Sequence, residues 1–350
     1  MGLSRRAPPR RGYAALCFGI SFLVVAVSMW TLEVDVLVKE YGMRRSVSSP
    51  AYNETPRFPS YVDTPDETTN VDLFVDQPPF PVPIADADDL AFATWFLHAE
   101  VEQILGTILQ KVILEDWQPS SSSVIDAGMN RGYFTLLAAR LGYDVVSFEL
   151  SQGCIKKALA SVAALRSTAV VHIKQTGLSF EDGGFIAVDS SCYGGRQVSH
   201  SPPTKGGDVP LLSLRTALFS LHADSQRPVA LLKMDIEGNE YNVLRGFGIE
   251  GLEKFKIKNL IVEASSHVWR VGLSEATSFF ERIAAISSRV YCLDPNLDVE
   301  QCTFLEIVDD RLGKMFQVTS FAQALNRTFE YYANPCCGNF WFRDIGSGVI

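Results

Sequence analysis

The chain has 350 residues, 47% of them hydrophobic, which is material for one large domain or two small ones. A formal net charge of −9 and a pI near 5.2 exclude a general nucleic-acid binder, which needs a basic surface to neutralise phosphates.

Residues 1–12 form a tail containing Arg5, Arg6, Arg10 and Arg11, and an uncharged stretch follows over 13–32. At about 1.5 Å per residue such a stretch spans a hydrocarbon core. Arginines before it and mixed charge after it (Glu33, Asp35, Lys39, Glu40) orient the tail to the cytosol. The expectation is a single-pass type II membrane protein of the secretory pathway, Golgi or ER, with its body in the lumen. A cleaved signal peptide, with Ala26 and Ser28 at the cleavage site, and an organelle transit peptide are the alternatives. Triplets at Asn53 and Asn326 are glycosylation acceptors. Among the cysteines, Cys292 and Cys302 can close a short loop, adjacent Cys336 and Cys337 cannot easily bond each other, and isolated buried thiols fit equally well.

Residues 33–87 read as a stem. Eight prolines between Ser48 and Pro83, with scattered Ser, Thr and acids, give an extended and largely structureless segment. The ordered body is expected over 88–350. It opens with an amphipathic helix from Asp88 to Trp117, in which His98 is a packing or half-exposed residue.

Beyond Pro119 strands alternate with helices. "SSVIDAG", "DVVSFEL", "AVVHIKQTGLS", "PVALLKMDIEG", "KNLIVEAS" and "VYCLD" read as strands, and "NFWFRD" as a late strand with no helix after it. This spacing implies an α/β fold with a mainly parallel sheet and helices on both faces, where ligands sit beyond the carboxyl ends of the strands. The Gly-, Ser- and Pro-rich stretch Val188–Val209 is too long for an ordinary connector and reads as an excursion or lid, with His200 and Lys205 on its surface or reaching a substrate.

Three groups carry chemistry. In "DAGMNRG", Gly128 permits a turn with positive φ and Gly132 close packing of the next helix, whose N-terminal amides face the ligand side. The spacing is not GxGxxG, and an acid two residues before the first glycine opposes a pyrophosphate while suiting the ammonium of an amino acid. S-adenosylmethionine carries that end, a ribose and no phosphate. Glu149, ending the next strand, suits ribose hydroxyls, as it also would in a nicotinamide dehydrogenase.

The second group is Asp235, Glu237 and Glu240 in "LLKMDIEGNEYNVLRGF", after a strand whose Leu232 and Met234 are core. Clustered carboxylates can hold a sulfonium, accept a hydroxyl proton or bind a divalent metal; Asp235 or Glu237 can equally cap the following helix. Third, Glu263 ends "LIVE" and His267 follows, a loop histidine that can accept a hydroxyl proton or be a bystander. There is no GxSxG elbow.

Together, "VIDAGMNRGYFTLLAARLGYDVVSFEL" and "LLKMDIEGNEYNVLRGF" resemble the FkbM-family methyltransferases, over roughly Ser121 to Asp344. The resemblance implies a Rossmann-like class I methyltransferase sheet of seven strands, the last antiparallel and supplied by "NFWFRD". It implies S-adenosyl-L-methionine as cofactor and transfer to a hydroxyl of a small-molecule or glycan acceptor, with no nucleic-acid partner. By position, Asp126, Gly128, Asn130 and Gly132 would surround the methionine part, Glu149 the ribose, and Leu178 and Ser179 the adenine. Asp235 and Glu237, with His267 from the third group, are the catalytic candidates, and no resident metal is expected. The family's acid is commonly followed by proline, where this chain has Leu150. A membrane-anchored, non-catalytic binding or trafficking protein on the same fold is the alternative.

Overall fold

The computed structural model describes residues 69–72, 81–84, 100–165, 167–188, 192, 208–222, 227–264, 273–293, 302–310, 312–330 and 337–347. The apolar stretch 13–32, Asn53, His98, His200, Lys205 and His267 lie outside the described residues. Among the described residues no helix is long and apolar enough to cross a membrane.

The elements run β1 (Thr69–Asp72), β2 (Pro81–Ile84), α1 (Glu100–Ile108, continued by a wider turn over Leu109–Ile113 and by Leu114–Asp116), β3 (Ser123–Ala127), α2 (Tyr133–Arg140), β4 (Asp144–Glu149) and α3 (Gln152–Ala164). Then come β5 (Val171–Gln175), β6 (Gly177–Ser179), β7 (Phe185–Ala187), β8 (Asp208–Ser213), α4 (Leu214–His222), β9 (Val229–Met234) and α5 (Glu240–Lys254). The chain closes with β10 (Leu260–Glu263), α6 (Leu273–Ala285), β11 (Arg289–Cys292), β12 (Leu305–Asp310), β13 (Gly313–Val318), α7 (Phe321–Glu330) and β14 (Asn339–Arg343).

The main sheet has nine strands in the order β12-β13-β11-β14-β10-β9-β3-β4-β5. Strands β5, β4, β3, β9 and β10 are mutually parallel, and β14 inserts antiparallel between β10 and β11. Seven strands are therefore in the expected arrangement, with "NFWFRD" as the antiparallel one. The strand count is corrected to nine by the β12–β13 hairpin on the β11 edge.

Two further readings are corrected. The run "AVVHIKQTGLS" is not one strand: after Gln175 the chain leaves the main sheet, and Gly177–Ser179 joins a three-stranded sheet with β8 and β7. The stem contains an antiparallel pair, β1 with β2, in which Pro81 and Pro83 face Asp72 and Asn70. Prolines lack the N–H a central strand must donate, but a two-stranded ribbon has an outer edge where none is needed.

Alternation along the strands sorts the core into two layers. Ile125, Ala127, Leu232, Met234, Phe340 and Phe342 point to one face of the sheet, Val124, Leu231 and Trp341 to the other. Trp341 is fully buried and satisfies its indole N–H on Asn259 Oδ1 at 3.1 Å.

Two disulfides staple the described fold, Cys154–Cys192 and Cys292–Cys337. The expected loop between Cys292 and Cys302 is thereby corrected: β11 and the entry to β14 lie side by side, which puts Cys292 and Cys337 at a Cα separation of 5.6 Å.

Candidate active site

The carboxyl ends of β3, β4, β9 and β10 converge on one edge of the sheet. After β3 the chain turns through Gly128 (φ 78), Asn130 (φ 53) and Gly132 (φ 89) before entering α2. Gly128 is required twice over. Its φ lies in the left-handed region, and a Cβ there would collide with the backbone carbonyl oxygen of Asp235. The bend thus rests directly on the β9 loop, and Asp235 N donates to Ala127 O at 3.0 Å.

Helix α2 begins at Gly132, which has no side chain to cap it. The preceding strand supplies the cap. Asp126 Oδ2 accepts the Thr135 N–H at 3.1 Å and its hydroxyl at 2.8 Å, occupying one of the free donors of the first turn. Asp126 is fully buried, and burial pushes its carboxyl above the ordinary value while Lys233 pulls against that shift. Lys233 Nζ lies 3.7 Å from Asp126 Oδ1, 3.2 Å from Asp235 Oδ2 and 3.2 Å from Gly128 O.

Asp126 therefore stands behind the bend, neutralised by an ammonium. The cation the structure sets against the carboxylate expected to suit a ligand's ammonium is the Lys233 side chain. A carboxylate with no water around it must find a partner within the protein, and Lys233 is that partner.

Glu149 is tied to the same bend. Its Oε2 accepts the Asn130 N–H at 2.9 Å, and its Oε1 accepts Leu150 N and Ser151 N at 2.8 Å each. Burial raises its pKa, and these three backbone donors pull it back. An ionised carboxylate offers about four acceptor positions, so one on Oε2 is left for a further donor such as a ribose hydroxyl. The Ser151 side chain caps α3 through Cys154 N at 3.3 Å.

Leu178 and Ser179 lie on β6, off the main sheet. Asn239 Nδ2 donates to Leu178 O at 2.9 Å, which ties this strand to the β9–α5 loop. In that loop Glu237 adopts φ 59, the only non-glycine residue besides Asn130, Lys256 and Asp344 in the left-handed region among the described residues. Two of those four stand in the two signature loops, where strain is concentrated. Glu237 faces the Asp235 carboxylate and Lys233, and burial raises its pKa.

Neither Asp235 nor Glu237 caps α5. Glu240, the first residue of α5, instead ties down the loop before the helix, accepting Ile236 N at 2.8 Å and Gly238 N at 3.0 Å on one oxygen. It is fully buried, which pushes its carboxyl up to about 7. Asp235, Glu240 and Glu263 offer carboxylate oxygens within 4.8 Å of one another.

The structure thus groups Asp126, Gly128, Asn130, Gly132 and Glu149 around one bend, and sets Asp235 and Glu237 against it across the β3–β9 seam. Sequence reasoning missed Lys233 and the placing of Glu263 against Asp235. A lysine inside a strand of otherwise apolar residues was the available signal, since such a residue survives burial only beside acids.

The residues fit an adenosylated amino acid on one observation: the half-buried carboxylate of Glu149, bonded to the bend, has an acceptor position left over. Residues 126–293 match the family model of the methyltransferase FkbM domain, and S-adenosylmethionine is accordingly the methyl donor. Solved structures of similar shape include a putative O-methyltransferase from Klebsiella pneumoniae, 11% identical over 70% of this chain and 81% of that one, TM-score 0.33. An O-methyltransferase from Bacillus cereus in complex with SAH is 13% identical over 63% and 90%, TM-score 0.31. A TehB-like SAM-dependent methyltransferase from Corynebacterium glutamicum is 12% identical over 66% and 95%, TM-score 0.30. Likenesses this distant carry no functional argument. No curated protein matches the chain in sequence.

Proposed function

We propose that this chain, whose residues 126–293 are an FkbM methyltransferase domain, methylates a hydroxyl oxygen of a small-molecule or glycan acceptor in the secretory pathway. The observation that carries the cofactor half of this reading is Glu149, held at the rim of the bend with an acceptor position to spare.

Bound there, S-adenosylmethionine supplies an electrophilic methyl group on a sulfonium sulfur. Gly128 and Gly132 let the bend around the methionine part pack against the β9 loop and α3, Glu149 takes a ribose hydroxyl, and Leu178 and Ser179 border the base. Asp126 and Lys233 hold the bend from behind. Asp235, one-third exposed at its side chain, accepts the proton leaving the acceptor hydroxyl, and Glu237 lies beside it. Much of the rate comes from holding two reactants in line, which rigid strand ends do well.

The compartment belongs to the proposal. Two disulfides within the fold support an oxidising lumen, and Asn326 is exposed on α7, where a glycosyltransferase can reach it. Anchoring by residues 13–32 would place the domain there.

The test has two arms. Purified full-length chain is offered labelled S-adenosylmethionine with a panel of hydroxylated glycans and small molecules, and label must appear on oxygen above the acceptor-free rate; label only on nitrogen or carbon would end the hydroxyl assignment. In cells, glycosidase treatment must shift the chain's mobility, and N326Q must remove part of that shift. A chain unaffected by glycosidase and digested by protease added to intact vesicles is not lumenal.

A further inference from the structure

Behind the β9–α5 loop, Glu263 at the end of β10 brings a carboxylate oxygen within 4.8 Å of those of Asp235 and Glu240. Ionised carboxylates this close and partly buried repel one another, and a proton carried by one of them, donated to its neighbour's oxygen, removes the repulsion. The surroundings decide which. Asp235 is one-third exposed at its side chain and has the Lys233 ammonium 3.2 Å from its Oδ2, so its charge is both solvated and compensated. Glu263 is partly buried, and the charges facing it from the β9–α5 segment, Asp235, Glu237 and Glu240, are all acidic. On the neighbouring β14 it pairs with the uncharged Asn339. Its second oxygen, Oε2, is buried with no hydrogen-bond partner among the described residues, a state tolerable for a neutral acid and costly for an anion.

We infer that Glu263 is a neutral carboxylic acid whose proton is donated to Asp235, making Glu263 the positioning residue that aims the Asp235 carboxylate at the methyl acceptor. Burial among acids raises the Glu263 pKa far above the ordinary glutamate value, in keeping with this. The donated hydrogen bond holds one side of Asp235 and Lys233 another, so its torsional freedom is gone before the acceptor arrives. When the acceptor hydroxyl loses its proton to Asp235, the pair holds two protons in place of one, and no charge is left between the two groups.

The same three carboxylates, Asp235, Glu240 and Glu263, have the proximity of a divalent-cation site. The cluster's own contents favour the proton. Lys233 already supplies a cation against Asp235, and Glu240 spends one oxygen on two backbone donors.

The inference rests on reading this cleft as the transfer site, and the two are separable by experiment. Infrared difference spectra at neutral pH, wild type minus E263Q, report the carbonyl stretch of a protonated acid apart from carboxylate bands. The expected result is one acid band lost in E263Q; in D235N the band persists but moves, because its acceptor changes from an anion to an amide. If E263Q does not fold, the wild type minus D235N difference alone must show the moved band. Absence of any acid band assignable to Glu263 overturns the inference, as does its disappearance when magnesium or manganese is added with a rise in melting temperature. S-adenosylhomocysteine titrated into the wild type tests the cleft itself. Binding without an acid band sinks only the Glu263 proposal, whereas failure to bind sinks the site.

Discussion

Glu149 and Asn130 are joined by a hydrogen bond of 2.9 Å from the Asn130 backbone N–H to Glu149 Oε2. With Gly128 N and Met129 N donating to Phe148 O at 3.0 and 3.1 Å, that contact links the end of β4 to the bend after β3. It also explains why Asn130 sits at φ 53: the left-handed turn aims its N–H at the carboxylate. An αL conformation costs a non-glycine residue about 1–2 kcal/mol, and a charge-assisted hydrogen bond returns about that much.

Gly128→Ala combines a strained φ with a collision against the Asp235 carbonyl. Overpacking costs about 1–3 kcal/mol and the backbone term adds to it. Denaturant unfolding is expected to show at least that loss, and titration with S-adenosylhomocysteine to show no heat. Ala at Gly183, where a Cβ meets nothing within 4 Å but φ is also positive, is the control that isolates the backbone term.

Lys233→Met leaves Asp126 buried without its ammonium. Removing one partner of a buried pair costs about 3–5 kcal/mol. The loss must depend on pH. The Asp126 pKa is already raised in the fold and rises further without Lys233. A raised carboxyl stabilises fully only below its unfolded value, about 3.9, and that contribution is lost as pH climbs through the folded value. The gap between wild type and variant is therefore smallest in acid and widens towards neutrality, as urea melts across pH will read.

Glu240→Gln should show the same sign at another place. With its folded pKa near 7, Glu240 contributes stability that is complete below the unfolded value and falls away as pH rises through 7. The variant lacks this slope, so its melting temperature, compared with wild type, gains between pH 5 and 8. A difference independent of pH would mean Glu240 stays ionised in the fold.

The Cys154–Cys192 bridge packs both sulfurs near Asn130, at 3.5 and 3.8 Å from its Oδ1, and Arg131 Nη2 donates to Cys192 O at 3.4 Å. Cys192→Ser is expected to cost about 2–4 kcal/mol of stability and to weaken S-adenosylhomocysteine binding as well. Cys337→Ser, at the opposite bridge, should cost stability without touching affinity.

Much of this was legible in the chain. The parallel core followed from apolar runs ending in acids, and the late "NFWFRD" strand was read as the antiparallel one it is. The β12–β13 hairpin escaped because Asp309 and Asp310 lead straight into its turn, with Gly313 just beyond, and mask the alternation of Leu305, Ile307, Phe316 and Val318. Glycine positions in the bend were readable since backbone geometry demands them. The inward turn of Asp126 was not, because it depends on Thr135, nine residues on, and on Lys233, far along the chain, neither of them acidic or glycine. The break of α5 at Gly248, φ 71, was hidden by the helical spacing on either side.

The most direct test is calorimetric titration of the folded protein with S-adenosylmethionine and with NAD, repeated in Glu149→Ala. Saturable binding of the first and none of the second is predicted, with affinity in the variant down by about tenfold or more, the 1.4 kcal/mol of a lost charge-assisted hydrogen bond. Binding of NAD instead, or an unchanged affinity in a folded Glu149→Ala protein, would contradict it.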